Sequence, residues 1–118
     1  MAAQMGLQVQ TLTIAAGQSL SPQLDLGAYT LVGIHMPASW TAAGLSFQVS
    51  PDGGATWNEH YNSAGTETVF TAASGQYIAL DPTLWRGVFS LKVRSGTLAT
   101  PVAQAAAATL TLIGKFVA

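Results

Sequence analysis

The sequence contains no cysteine, which excludes a disulfide scaffold, a cysteine nucleophile and thiolate metal sites. Charge is almost as scarce. Four Lys plus Arg and five Asp plus Glu make 8% of the chain, where about 25% is ordinary. Four cations without a basic run give no phosphate-binding footprint, so nucleic acid is not an expected partner. No apolar stretch reaches the ~18 residues of a membrane span, although the mean hydropathy is +0.36, and no membrane partner is expected. Met1 to Gly6 lack the charged and apolar regions of a signal peptide. The expectation is a protein made and used in the cytoplasm, or carried out of it only within a larger particle. A net charge of −1 leaves little to hold copies apart. A neutral surface of Ala, Gly, Ser, Thr and Gln suits a subunit largely covered by partners.

The 118 residues suit one domain, 1–118, with residues 1–6 as an arm and 98–108 as an extended crossover. Surface scaling gives about 6,000 Å² exposed when folded against roughly 17,700 Å² for the open chain. A core of that size needs neither disulfides nor metal.

Helical periodicity is nearly absent, and short alternating runs bounded by Gly, Pro, Asn and Asp recur throughout. Leu7 to Ile14 reads as a first strand, with a phase break between Val9 and Leu12 that suggests a bulge. Leu20, Pro22, Leu24 and Leu26 alternate next. Pro22 has no N–H for a ladder, so this strand belongs at an edge. Tyr29 to Met36 follows. Leu45, Phe47 and Val49 then lead through Pro51-Asp52-Gly53-Gly54 into Thr56 to Tyr61, which predicts a hairpin over Leu45 to Tyr61. Glu67 to Ala72, Gln76 to Leu80, Val88 to Ser95 and Thr109 to Val117 complete the strands. In Val88 to Ser95, Phe89, Leu91 and Val93 face one way and Lys92 and Arg94 the other. Asp81 can cap one helical turn that starts at Pro82. Eight or nine short strands, each with one apolar face, predict an all-β, jelly-roll-like antiparallel sandwich. An immunoglobulin-like sandwich is the second choice.

Catalytic patterns are missing, so no enzyme, cofactor or metal is expected. His35 and His60 lie in different strands at no motif spacing, and each reads as structural. No two ligand types recur at zinc spacing. Asp52 and Glu59 flank the hairpin, yet calcium needs six or more oxygens. A Glu59–His60 hydrolase is the weakest reading considered. The aromatics suggest something else: Trp57, Asn58 and Tyr61 could form a platform on which a sugar ring stacks. Against that, Trp40 and Trp85 can plug the ends of a sandwich while Trp57 packs across the hairpin.

Three segments carry a resemblance to small structural proteins of tailed bacteriophages. They are Met36-Pro37-Ala38-Ser39-Trp40-Thr41, the run from Phe47 through Ser50-Pro51-Asp52-Gly53-Gly54 to Trp57, and Leu91-Lys92-Val93-Arg94-Ser95-Gly96-Thr97. The similarity extends from about Leu20 to Val117 and includes decoration (cement) proteins, head-fibre parts and tail accessories. It implies a particle-bound role in the virion and brings no active site. The expected partners are then the major capsid protein or other virion subunits and further copies of the chain, with a trimer favoured. The expected contact segments are the arm Met1 to Leu7 and the crossover, with Leu7, Pro101, Val102 and Gln104 as contact residues. A glycan-binding or tail module on the Trp57 platform is the alternative.

Overall fold

The computed structural model describes residues 6–116. Met1 to Met5 of the arm and Val117, the predicted end of the last strand, lie outside the described residues. Eight strands run β1 (Leu7–Ile14), β2 (Leu24–Asp25), β3 (Tyr29–His35), β4 (Leu45–Ser50), β5 (Asn58–Glu59), β6 (Tyr77–Ala79), β7 (Ser90–Ser95) and β8 (Ala108–Phe116). They form two four-stranded sheets, ordered β1-β8-β3-β6 and β2-β7-β4-β5, with every pairing antiparallel. Within these sheets β1 meets β8, β2 meets β7, β3 meets β6 and β4 meets β5. The chain is therefore one long hairpin, bent at the β4–β5 turn and rolled into two layers. This is the jelly roll, not the immunoglobulin arrangement.

Alternation explains the two layers. Leu12, Ile14, Leu31, Ile34, Leu110 and Leu112 point inward from the first sheet and meet Leu45, Phe47, Leu91 and Val93 from the second. Trp85, fully buried, closes one end against Phe47, whose ring centroid is 4.7 Å away in an edge-to-face contact. Trp40 lies half-buried against the core and donates its indole N–H to Ala43 O at 3.0 Å. The Asp81 side chain caps the single turn Pro82–Leu84, accepting from Thr83 N at 3.0 Å as its sequence position predicts.

Several expectations are corrected. β1 has no bulge, because its register with β8 is unbroken from Leu7 to Ile14. Val9 instead stays in phase and points outward, 52% exposed. The bulge lies in β3, between Leu31 and Gly33, which is why Leu31 and Ile34 both reach the core three residues apart. Glu67 to Ala72 is reduced to isolated bridges, Tyr61 with Glu67 and Leu45 with Phe70. Around β2 the alternation fails: Ser21 is buried and Pro22 exposed, although β2 does lie at an edge as Pro22 required. Phe89 is 49% exposed and does not join Leu91 and Val93.

Candidate functional site

The outer face of the second sheet holds most of the polar chemistry in the chain. Register places Ser46 beside Arg94, Gln48 beside Lys92 and Glu59, Ser50 beside Ser90, and Ser90 beside Asp25. With Asp52 in the β4–β5 turn and Glu67 beside Arg94, six of the nine charged residues gather here: Asp25, Asp52, Glu59, Glu67, Lys92 and Arg94. The centre is an ion pair that β7 and β5 close from either side of β4. Arg94 donates from Nη1 to Glu59 Oε1 at 2.6 Å and from Nη2 to Oε2 at 2.7 Å, a bidentate geometry. Nη1 also donates to Ser46 Oγ at 3.1 Å and lies 3.6 Å from Glu67 Oε2, while Gln48 Nε2 donates to Glu59 Oε2 at 3.1 Å. Arg94 is 5% exposed, so the charge is largely desolvated and rests on the Glu59 carboxylate through both Nη1 and Nη2. The guanidinium holds the Glu59 carboxyl below its ordinary pKa, and the carboxylate raises that of Arg94.

At the bent end, Asp52 Oδ1 accepts from Thr56 N at 2.9 Å and from Ser50 Oγ at 2.8 Å, and Oδ2 accepts from Thr56 Oγ1 at 2.8 Å. Ser50 Oγ accepts from Gly54 N at 2.7 Å. Gly53 and Gly54 take φ of 74° and 107°, which ordinary side chains resist. The Ser50-Pro51-Asp52-Gly53-Gly54-Ala55-Thr56 turn is thus a self-bonded unit. Its bonds hold the Asp52 carboxyl below its usual range, the backbone N–H of Thr56 contributing most. Asp25 is lowered similarly, first by Gln23 Nε2 at 2.9 Å and then by Ser90 Oγ at 2.7 Å. The oxygens of Asp52 and Glu59 that calcium would need are already committed to these bonds.

The residues of the proposed sugar platform lie in and beside β5. Trp57 is half-buried, with the Lys92 ammonium 4.5 Å from its ring centroid, so one face of the indole is already occupied. Asn58 is exposed, and Tyr61 is 51% exposed on the stretch bridged to Glu67. The two histidines stay apart, with His35 exposed on the outer face of the first sheet. His60 is buried, stacked 4.6 Å from Trp85, and its Nε2 donates to Leu84 O at 2.7 Å. Because a carbonyl only accepts, Nε2 carries a proton, and Nδ1 pairs with Thr68 Oγ1 at 2.7 Å, accepting from it when the ring is neutral. Glu59 points outward and His60 inward, as neighbours on a strand must, so they form no dyad. Among the described residues, no three His, Asp or Glu converge on a metal position.

The crossover packs on its own chain. Gln104 is 1% exposed, its Oε1 accepting from Thr41 N at 2.9 Å and its Nε2 donating to Thr41 O at 3.1 Å and Ser95 Oγ at 2.7 Å. Its backbone bonds Gln18 O and Gly17 N. The Gln104 side chain is therefore unavailable to a partner, against the sequence expectation. A primary amide satisfied on every side does the docking that an intersubunit contact was expected to do. Pro101 is exposed, and Val102 and Leu7 are half-buried. The Arg94–Glu59–Gln48 cluster was missed in the sequence, where the only signal was Arg94 on the polar side of β7.

No family model matches the chain, and no curated protein matches it. Among solved structures, the crystal structure of the SPBc2 prophage-derived protein YomS is similar. It is 14% identical over 92% of this chain and 93% of that one, with a TM-score of 0.49.

Proposed function

We propose that the chain is a non-enzymatic structural subunit of a phage particle, a decoration protein that binds the major capsid protein of the mature head shell. The observation that carries the reading is the segregation of charge. The outer face of the first sheet is built from Val9, Thr11, Thr13, Thr109, Thr111, Ile113, His35, Tyr77 and Ala79, with Lys115 at one end and no carboxylate. Such a face can be covered at little desolvation cost, because hydroxyls and aliphatics leave no unpaired charge behind. The resemblance of the Trp40, Trp57 and Gly96 segments to phage structural proteins supports the same reading. A cement subunit acts by mass action, stabilising only the lattice it binds.

The test is co-sedimentation with mature shells of the encoding phage that lack the protein. Saturable binding at a fixed ratio to the capsid subunit is expected, and Val9→Lys with Thr111→Lys should weaken it while the fold survives. Intact shells that bind none would exclude the cement role and favour a tail or glycan-binding module, for which sugar quenching of Trp57 fluorescence is the next readout.

A further inference from the structure

The four sheet edges are unequal. β2 and β5 offer two residues each and β6 three, whereas β1 offers eight in unbroken register. A long free edge is ordinarily guarded by charge, proline, a bulge or a cover. β1 has none of the first three: Leu7-Gln8-Val9-Gln10-Thr11-Leu12-Thr13-Ile14 pairs without a bulge, the first proline is Pro22 and the first charged side chain is Asp25.

The hydrogen-bond phase says which groups are free. Phe116 N–H donates to Gly6 O at 2.7 Å, one step along the register from Leu7 opposite Lys115. Gln8, Gln10, Leu12 and Ile14 therefore exchange bonds with β8, and Leu7, Val9, Thr11 and Thr13 turn their N–H and C=O groups to the open edge. Among the described residues, nothing bonds these four N–H and four C=O groups.

We infer that this edge pairs with β1 of a second copy, antiparallel about a two-fold axis, joining two first sheets into one continuous sheet. The strand is its own complement. With Gln10 on the axis, Leu7 lies opposite Thr13 of the partner subunit and Val9 opposite Thr11 of the partner subunit. All four edge residues of each copy are then matched, and β-branched Val and Thr meet across the seam. No charge on β1 opposes another. A ring built by strand pairing needs a second long edge to receive β1, and edges of two or three residues do not supply one. Strand pairing thus gives a closed dimer, not the trimer expected from the sequence. It rests on the edge alone and holds whether or not the shell is the final partner.

The test is sedimentation of the full chain from micromolar to millimolar concentration, with amide exchange read residue by residue. The expected result is a dimer in which the Val9, Thr11 and Thr13 amides are protected. Thr11→Pro removes only an edge-directed donor, so it should leave a folded monomer and raise the dimer Kd at least about tenfold. Gln10→Pro removes a bond to β8 and should unfold the strand. Val9→Lys, on a side chain 52% exposed, gives a second edge variant if Thr11→Pro misfolds. A chain that stays monomeric throughout, forms a trimer, or dimerises with unprotected edge amides overturns the inference. So does a dimer indifferent to Val9→Lys and to a folded Thr11→Pro.

Discussion

The first sheet is built on strands of eight, nine and seven residues and shows water hydroxyls, aliphatics, one tyrosine and one histidine, with Lys115 at one end. The second rests on two strands of six residues, flanked by strands of two, and carries six of the nine charged side chains. Both bury the same kind of inner face, so the difference lies in what stabilises each from outside. The first sheet relies on long, regular ladders. In the second, short flanking strands contribute few ladder bonds, and a buried, bidentate ion pair ties β5 to β7 across β4. Charge in this chain is concentrated where it is structural, and the opposite face is left neutral enough to be covered.

The largest test of that contrast is Glu59→Ala. It strips the bidentate partner from the buried Arg94 guanidinium and leaves only the Glu67 carboxylate, 3.6 Å away, and the expected cost is about 3 kcal/mol, a Tm fall of roughly 10 °C in thermal unfolding. The double variant Glu59→Leu with Arg94→Met should recover most of that loss, because an apolar pair of similar volume needs no compensation. If Glu59→Ala were as mild as a surface change, the second sheet would not depend on its ion pair.

Acid should act on the second sheet next. The Glu59 carboxyl is held below its ordinary pKa in the folded state, so its contribution is complete above the unfolded value, about 4.3, and is lost as pH falls through the lower folded value. Asp25, Asp52 and Asp81 are shifted the same way by their hydrogen bonds. Denaturant midpoints should therefore be flat above about pH 5 and decline below it, with a shallower decline in the Glu59→Leu, Arg94→Met variant.

A smaller effect sharpens the other side. Tyr77 lies across Gly33 on the outer face of the first sheet, where a methyl group on Gly33 would meet its ring and hydroxyl. Gly33→Ala should cost about 1 kcal/mol by displacing the tyrosine, and should cost nothing or stabilise in a Tyr77→Ala background. Smallest of all, Thr111→Lys on that face should move the stability of the isolated chain by no more than about 0.5 kcal/mol. A large loss there would mean that the neutral face is structural rather than available.

Features that depend on near neighbours in the chain were legible. The Leu45 to Tyr61 hairpin is announced by Pro51-Asp52-Gly53-Gly54, whose turn bonds close within a few residues. The Asp81 cap is read from Asp81 and Pro82 alone. The bulge was misplaced because Val9 is apolar and exposed: alternation reports which residues are apolar, not which way they face. The burial of Arg94 was invisible for another reason. Its partners Ser46, Glu59 and Glu67 lie far back in the chain and meet it only when β7 docks beside β4.

By itself the sequence determined the class of the fold, its hairpin and turns, the lack of thiol chemistry and the scarcity of charge. All of these follow from local conformational preference or from composition. Tertiary structure alone decided the pairing of β1 with β8 and β2 with β7, the burial of Gln104 and Arg94, the neutral outer face and the place of β1 at a sheet edge. Each of these depends on which distant strands become neighbours, and that choice is made by packing two whole sheets together.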